Sequence, residues 1–430
     1  MLKKYFFLIA LITASFSTGN AAEDEEKHPA KLTIAKPTEK ERSILLSNRP
    51  HLSNIPDVAP SFIIKDTRSK FMITFGGFIK PIFGWDMGNV IDDISFIPSK
   101  MPVPALPGHK TDYFANPMHS GLDFHIIGLP GSEHQIGGYV NMMYNAPKAG
   151  VQVHHVYITY RGFLLGKTSS LFVDEEAIPH TIDPQGPNGA LSGHSNRFSF
   201  ETNLGKHFRA GISAELPAFD QYGGAYEGPD YPDLDGIQYY EDASQPIPDI
   251  PAFIEYQGKG SNRVRISGII RNFFYRDQLR RQTRSVTGWG VQLSGNLSPA
   301  KPLIFYYEAA YGEGIGHYIQ DLCDLPLSYL PQDNRPGKMR ATPMMGWLAG
   351  FNYHFPCKLV LGYTYSEARI WDSSLYFPEY KYGQYMAANL VYPIRSYFTC
   401  GIEWLWGRKK EYSGTSAHIN RIQTAVKFSF

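Results

Sequence analysis

The chain ends on Val426-Lys427-Phe428-Ser429-Phe430, a strand that alternates strictly and stops on an aromatic residue. Phe430, Phe428, Val426, Thr424 and Ile422 fall on one face, and Ser429, Lys427, Ala425, Gln423 and Arg421 on the other. Successive side chains of a strand point to opposite faces, so one side is greasy and the other wet. A closing strand of this kind suits a transmembrane β-barrel, in which lipid-facing and lumen-facing residues alternate. A soluble sandwich could also end on such a strand, so the rest of the chain has to decide.

The opposite end reads as an export signal. Lys3 and Lys4 precede the apolar run Tyr5 to Ala14, and small residues through Ala21 lead into the acidic Glu23-Asp24-Glu25-Glu26. A membrane helix needs about 20 apolar residues, and this run is shorter. Residues 1–21 are therefore expected to be a signal peptide, 22–67 a periplasmic N-terminal extension broken by prolines, and 68–430 the barrel. No other stretch is long and apolar enough for a membrane helix. With 28 Tyr, 27 Phe and 40 Gly, the composition suits a barrel. A formal net charge of +1 offers no basic surface for nucleic acid. Cys323, Cys357 and Cys400 form no metal-ligand spacing, and Cys323 and Cys357 fall at opposite ends of the barrel, too far apart for a disulfide.

Alternating or aromatic-rich runs predict an all-β fold, a transmembrane antiparallel β-barrel of about 16 strands. They lie near 68–87, 117–128, 134–145, 151–161, 163–173, 194–204, 206–216, 250–258, 262–276, 282–297, 301–313, 344–355, 357–369, 380–391, 393–405 and 419–430. Tight turns such as Arg161-Gly162, Leu204-Gly205 and Phe355-Pro356 alternate with long connections near 88–116, 174–193, 217–249, 314–343 and 406–418. Short turns on one rim and long loops on the other are the pattern of a bacterial outer-membrane barrel with both termini in the periplasm. A sandwich or propeller would space its turns evenly.

Phasing each strand by its apolar side assigns the interior. Arg263, Arg265 and Arg271 turn inward because Val264, Ile266 and Ile270 turn out; the same reasoning places Arg197, Arg209, Arg395 and Arg421 inside, with Arg284 near the upper rim. An arginine facing the bilayer midplane would cost about 2–4 kcal/mol, which supports this phase. Inward Glu201, Glu215, Glu308 and Glu403 could pair with these arginines and stiffen the wall. Alternatively, the arginines form an electropositive path for anions. Asp174, Glu175, Glu176 and Asp183 of the 174–193 loop could hang into the lumen and oppose that field. Catalysis finds no nucleophile elbow or paired motif, and an enzyme, cofactor or metal is not expected. His154 and His155 are neighbours on a strand and so should face opposite sides.

Gly166-Lys167-Thr168-Ser169-Ser170-Leu171-Phe172-Val173-Asp174, followed by Pro179-His180-Thr181-Ile182-Asp183-Pro184-Gln185-Gly186-Pro187-Asn188-Gly189, resembles the DcaP-like trimeric outer-membrane porins. Ala214-Glu215-Leu216-Pro217, and Pro60-Ser61-Phe62 leading into Gly76-Gly77-Phe78-Ile79-Lys80, are similar to that family as well. The resemblance implies a 16-stranded homotrimer passing small, preferentially anionic, dicarboxylate-like solutes. It also implies that the loop from Asp174 to Gly193 folds inward to narrow the pore. Ser169 stands where the family usually has an aromatic. The extension lacks the heptads of a periplasmic coiled coil, so trimer contact is expected between barrels. The alternative function is a closed barrel that binds a ligand or adheres through its loops, with Tyr222, Tyr226, Tyr231, Tyr239 and Tyr240 as a candidate surface.

Overall fold

A computed structural model of the chain describes residues 32–47, 63–66, 70–117, 119–145, 150–217, 240–372 and 379–430. The stretch expected to be a signal peptide, Pro60-Ser61-Phe62, most of the expected extension and the tyrosines at 222, 226, 231 and 239 lie outside the described residues.

Sixteen antiparallel strands close into one barrel. The first, β1, runs Phe71–Ile79 and continues as Ile82–Met87, and β2 runs Thr111–Asn116 and continues as Ser120–Gly128. Then follow β3 (Ile136–Asn145), β4 (Gly150–Tyr160), β5 (Phe163–Ser169), β6 (His194–Leu204), β7 (Phe208–Pro217) and β8 (Ile250–Gln257). The second half holds β9 (Arg263–Asp277), β10 (Gln282–Ala300), β11 (Leu303–Glu313), β12 (Pro343–His354), β13 (Val360–Ile370), β14 (Tyr382–Arg395), β15 (Phe398–Lys410) and β16 (Ser416–Ser429). Each strand pairs with the next, and β16 returns to β1 with Ala425 opposite Ile82 and Ser429 opposite Phe78. Closure leaves no sheet edge in lipid, where an unpaired backbone group costs several kcal/mol.

The outward face is apolar, with Trp85, Ile158, Leu165, Phe198, Ile212, Ile266, Ile270, Val291 and Ile402 all exposed. The inward face carries Asp86, His125, Asn141, Arg197, Glu215, Glu255, Arg263, Glu403 and Arg421, all buried. This is the alternation from which the interior was phased, and it makes the chain an outer-membrane β-barrel. Long loops L1 (88–110), L3 (170–193) and L6 (314–342) lie on the rim opposite the tight turns.

Several expectations are corrected. The upper half of β2 begins at Thr111, not 117; its sequence TDYFAN alternates weakly, and register with β1 supplies the pairing. β5 stops at Ser169, because the chain turns there to enter the lumen as L3. No long loop exists at 406–418: β15 and β16 pair up to Lys410 and Ser416, leaving only 411–415 as a turn. The basic run Arg408-Lys409-Lys410 belongs to β15 and pairs with Ser416 to His418 of β16.

His154 and His155 do not face opposite sides. Asn141 pairs with His155 while Met142 pairs with Val153, so His154 is the extra residue of a β-bulge. The bulge brings the His154 ring 5.3 Å from that of His194, which also lies 4.9 Å from His155. Among the described residues no group of three His, Cys, Asp or Glu side chains is placed to hold a metal ion.

The extension has more structure than its prolines suggested. Leu32–Ala35 pairs with Ile63–Asp66, which pairs in turn with β1 through Ile64–Ile73 and Lys65–Met72. Between them Glu39–Ser47 is a helix, started by a capping box: the Thr38 hydroxyl accepts from the Glu41 N–H, and the Glu41 carboxylate accepts from the Thr38 N–H at 2.8 Å. Leu45 and Ile63 bury against Met72 and Ile127 at the rim that carries the tight turns.

Candidate functional site

L3 is tied to the inner wall along its length. The Leu171 N–H donates to Glu215 at 2.9 Å, and the Leu171 and Phe172 carbonyls accept from Arg265 and Ser267 of β9. Asp174 meets Arg263 at 2.9 Å and accepts from Ser294 of β10. Farther on, the Ile182 and Asp183 N–H groups donate to the Glu403 carboxylate of β15 at 2.9 and 2.7 Å. The loop thus crosses the interior from β7–β10 to β15. At its base Ser169, which stands where the resembled family usually has an aromatic, donates to Glu175 at 2.5 Å.

All of the arginines phased inward except Arg395 face the interior or its upper rim, and most are engaged. Arg263 binds Asp174, Glu176 and Glu255. Arg271 binds Asp249 at 2.9 Å and lies over the Phe273 and Tyr318 rings. Arg209 binds Glu201, and Arg197 binds Glu201 and the Ser169 carbonyl. Arg421 is wholly buried: it grips both Asp86 oxygens at 2.6 and 2.9 Å and the Ile91, Asp93 and Ile94 carbonyls of L1. Arg284 pairs with Asp277 at the upper end of β9 and β10. Arg395 is exposed, beyond a register shift in the β14–β15 pair at the periplasmic turn, so it does not join the others. Arg265 differs from the rest. It is 7% exposed, donates to the Leu171 carbonyl, stacks 3.8 Å over Phe253, and makes no ion pair within 4 Å among the described residues; its Nε, like that of Arg197, has no hydrogen-bond partner.

The loop acids are likewise committed. Burial would lift the Asp174 carboxyl, but the Arg265 and Arg263 guanidiniums outweigh it and hold it below its ordinary value. Burial pushes Glu175 up to about 7 despite the Ser169 hydrogen bond. Asp183 also stands at about 7, lifted by burial and then by the Glu403 carboxylate. Beneath L3 a cavity of about 650 Å³ extends from the periplasmic turns at Ser132 and Arg161 past Tyr157, Thr168 and Arg209 to Ser170, Glu175 and Arg265. Its size is that of a small-molecule site.

Sequence reasoning missed two other inward loops. In L1, Phe96 and Met101 bury against Tyr385, Leu405 and Ile419 on the inner faces of β14–β16. In L6, Ile315, Tyr318, Ile319, Leu322 and Leu330 pack with Ile269, Phe273, Met344 and Ile370 on the inner faces of β9, β12 and β13. Part of the lumen is thus an apolar core. The signal was present: a loop exposed to water would not carry so many large apolar residues.

A closed sixteen-stranded wall, an apolar outer belt and a loop drawn across the lumen define the class: this is a bacterial outer-membrane β-barrel with the porin fold. Within that class the chain is similar to the outer-membrane channel DcaP of Acinetobacter baumannii, in keeping with the motif at 166–189. The TM-score is 0.68 with 19% identity over 85% of this chain and 99% of that one. It also resembles OmpF of Salmonella typhi in complex with daunomycin (TM-score 0.52, 9% identity, 84% and 98% covered). The anion-selective porin of Comamonas acidovorans is similar in fold too (TM-score 0.50, 10% identity, 84% and 100% covered). No protein-family model and no curated protein sequence matches the chain.

Proposed function

We propose that the protein is a homotrimeric porin through which small hydrophilic solutes cross the outer membrane, with a preference for anions of dicarboxylate-like chemistry. The observation that carries the preference is Arg265. It faces the cavity beneath L3 and makes no ion pair within 4 Å among the described residues, feeling Asp174 only from farther off, whereas Asp174 and Glu176 of L3 are bound directly to Arg263. A guanidinium offers bidentate hydrogen bonding to a carboxylate, and a buried one with unused donors attracts such a group most strongly. Pairing elsewhere on the wall keeps the field moderate, so a solute is held briefly and released. The trimer and the solute class are supported by the resemblance at 166–189 and by the DcaP-like fold.

Reversal potentials of the purified protein in a planar bilayer under a salt gradient test this reading. Wild type should favour anions, and Arg265→Gln should lower the anion-to-cation permeability ratio several-fold. A wild type that prefers cations, or a ratio unmoved by Arg265→Gln, refutes the arginine path.

A further inference from the structure

Three inward loops meet on one buried carboxylate. Asp321 of L6 is 2% exposed. Its Oδ1 accepts the Ser99 N–H of L1 at 2.8 Å, and its Oδ2 accepts the Asn188 amide of L3 at 3.0 Å and the Tyr380 hydroxyl, just before β14, at 2.6 Å. Backbone bonds reinforce the junction: the Asp321 N–H donates to Asn188, the Gln320 N–H to Ala190, and the Ser192 N–H to Tyr318. Asn188 in turn accepts from Ser366 of β13 at 2.7 Å. L1 and L3 are joined a second time, where Asp183 accepts the Phe96 N–H at 3.0 Å.

We propose that the element setting the bore is this assembly of L1, L3 and L6, with Asp321 as its positioning residue, and not L3 alone. The inference rests on the channel reading above. L3 reaches β13 through Asn188, the residue that also binds Asp321, so the return leg of L3 and the inner end of L6 share one seat. A buried carboxylate serving donors from three separate segments fixes their mutual positions, because moving any one strands a polar group in a dry site. Losing it loosens the junction at which L6 holds L1 and L3, while their other ties to the wall remain, and the lumen cross-section changes by more than one loop.

Single-channel recording of the full-length protein in planar bilayers is the test. With Asp321→Ala the unitary conductance should rise about twofold with noisier open levels, since current follows the open cross-section. Asp321→Asn, which retains one acceptor oxygen, should fall between Asp321→Ala and wild type. Tyr380→Phe, which deletes a single hydrogen bond and keeps the ring, should move conductance in the same direction and decides the matter if Asp321→Ala fails to fold. A residue that merely stabilised the fold would reduce the heat-modifiable barrel fraction and leave the unitary conductance of inserted channels unchanged. Conductance equal to wild type in both Asp321→Ala and Tyr380→Phe overturns the proposal. A wild type that carries no current overturns the channel reading itself, and the two failures are thereby distinguished.

Discussion

Replacing Arg421 with methionine should be among the most damaging single changes in the barrel. Arg421 of β16 stands opposite Asp86 of β1 at the seam where the sheet closes. It is fully buried, binds both carboxylate oxygens and three L1 carbonyls, and lies 4.5 Å over the Phe114 ring. Removing one partner of a buried ion pair strands the other charge at about 3–5 kcal/mol. Each orphaned carbonyl adds about 1 kcal/mol, giving a total of roughly 6–8 kcal/mol. Most of the first part should return when Asp86 is changed as well, because two apolar side chains replace a buried pair at little cost. The assay is denaturant titration of the refolded barrel, read by heat-modifiable migration, for wild type, Arg421→Met, and Arg421→Met with Asp86→Leu. Recovery of about 3–5 kcal/mol in the double variant is expected. A double variant no more stable than Arg421→Met would refute the account of the seam as a coupled charge pair.

Acidification from pH 8 to 6 protonates Glu175 and Asp183, both near 7, and so removes negative charge from L3. The anion-to-cation permeability ratio should rise as pH falls and flatten in Glu175→Gln with Asp183→Asn; a fall on acidification would contradict the assignment. Both carboxyls sit above their ordinary values near 4, so the native state binds the extra protons. Stability should therefore decline as pH rises from about 4 through 7, which denaturant titrations at several pH values check. A Cβ at Gly189 would run into the Glu367 and Trp347 carbonyl oxygens, so Gly189→Ala should dislodge L3 and raise unitary conductance. The Phe430 and Gly77 backbones exchange two bonds of 3.0 Å, and the Phe430 ring lies 5.8 Å from Phe75. Deleting Phe430 should cut the yield of heat-modifiable barrel severely, and normal yield would count against its closing role.

The barrel was legible because lipid imposes a strict rule: apolar side chains at every second position, with tight turns between strands on one rim. That rule located β4, β6, β9 and β13 to within a few residues and turned Arg197, Arg263, Arg265 and Arg421 inward. It says nothing of partners. Asp86 and Arg421 are 335 positions apart, and only closure of the sheet brings them together. The His154 bulge was illegible because it is a property of the register with β3, not of β4 itself. L6 was assigned to the outside because loop length was read and its apolar content was not. Arg395 followed the strand phase, which lapses at the shift between Pro393 and Arg395.

The apolar core that L6 forms against β9, β12 and β13 has a mechanical consequence. A hollow cylinder under lateral pressure fails by becoming oval, and a water-filled pore offers nothing to resist it. Packed side chains compress little, so a lumen partly filled with them acts as an internal strut. Tension and lipid thickness should therefore leave the bore of this barrel almost unchanged, where an unfilled barrel of the same strand number would flex.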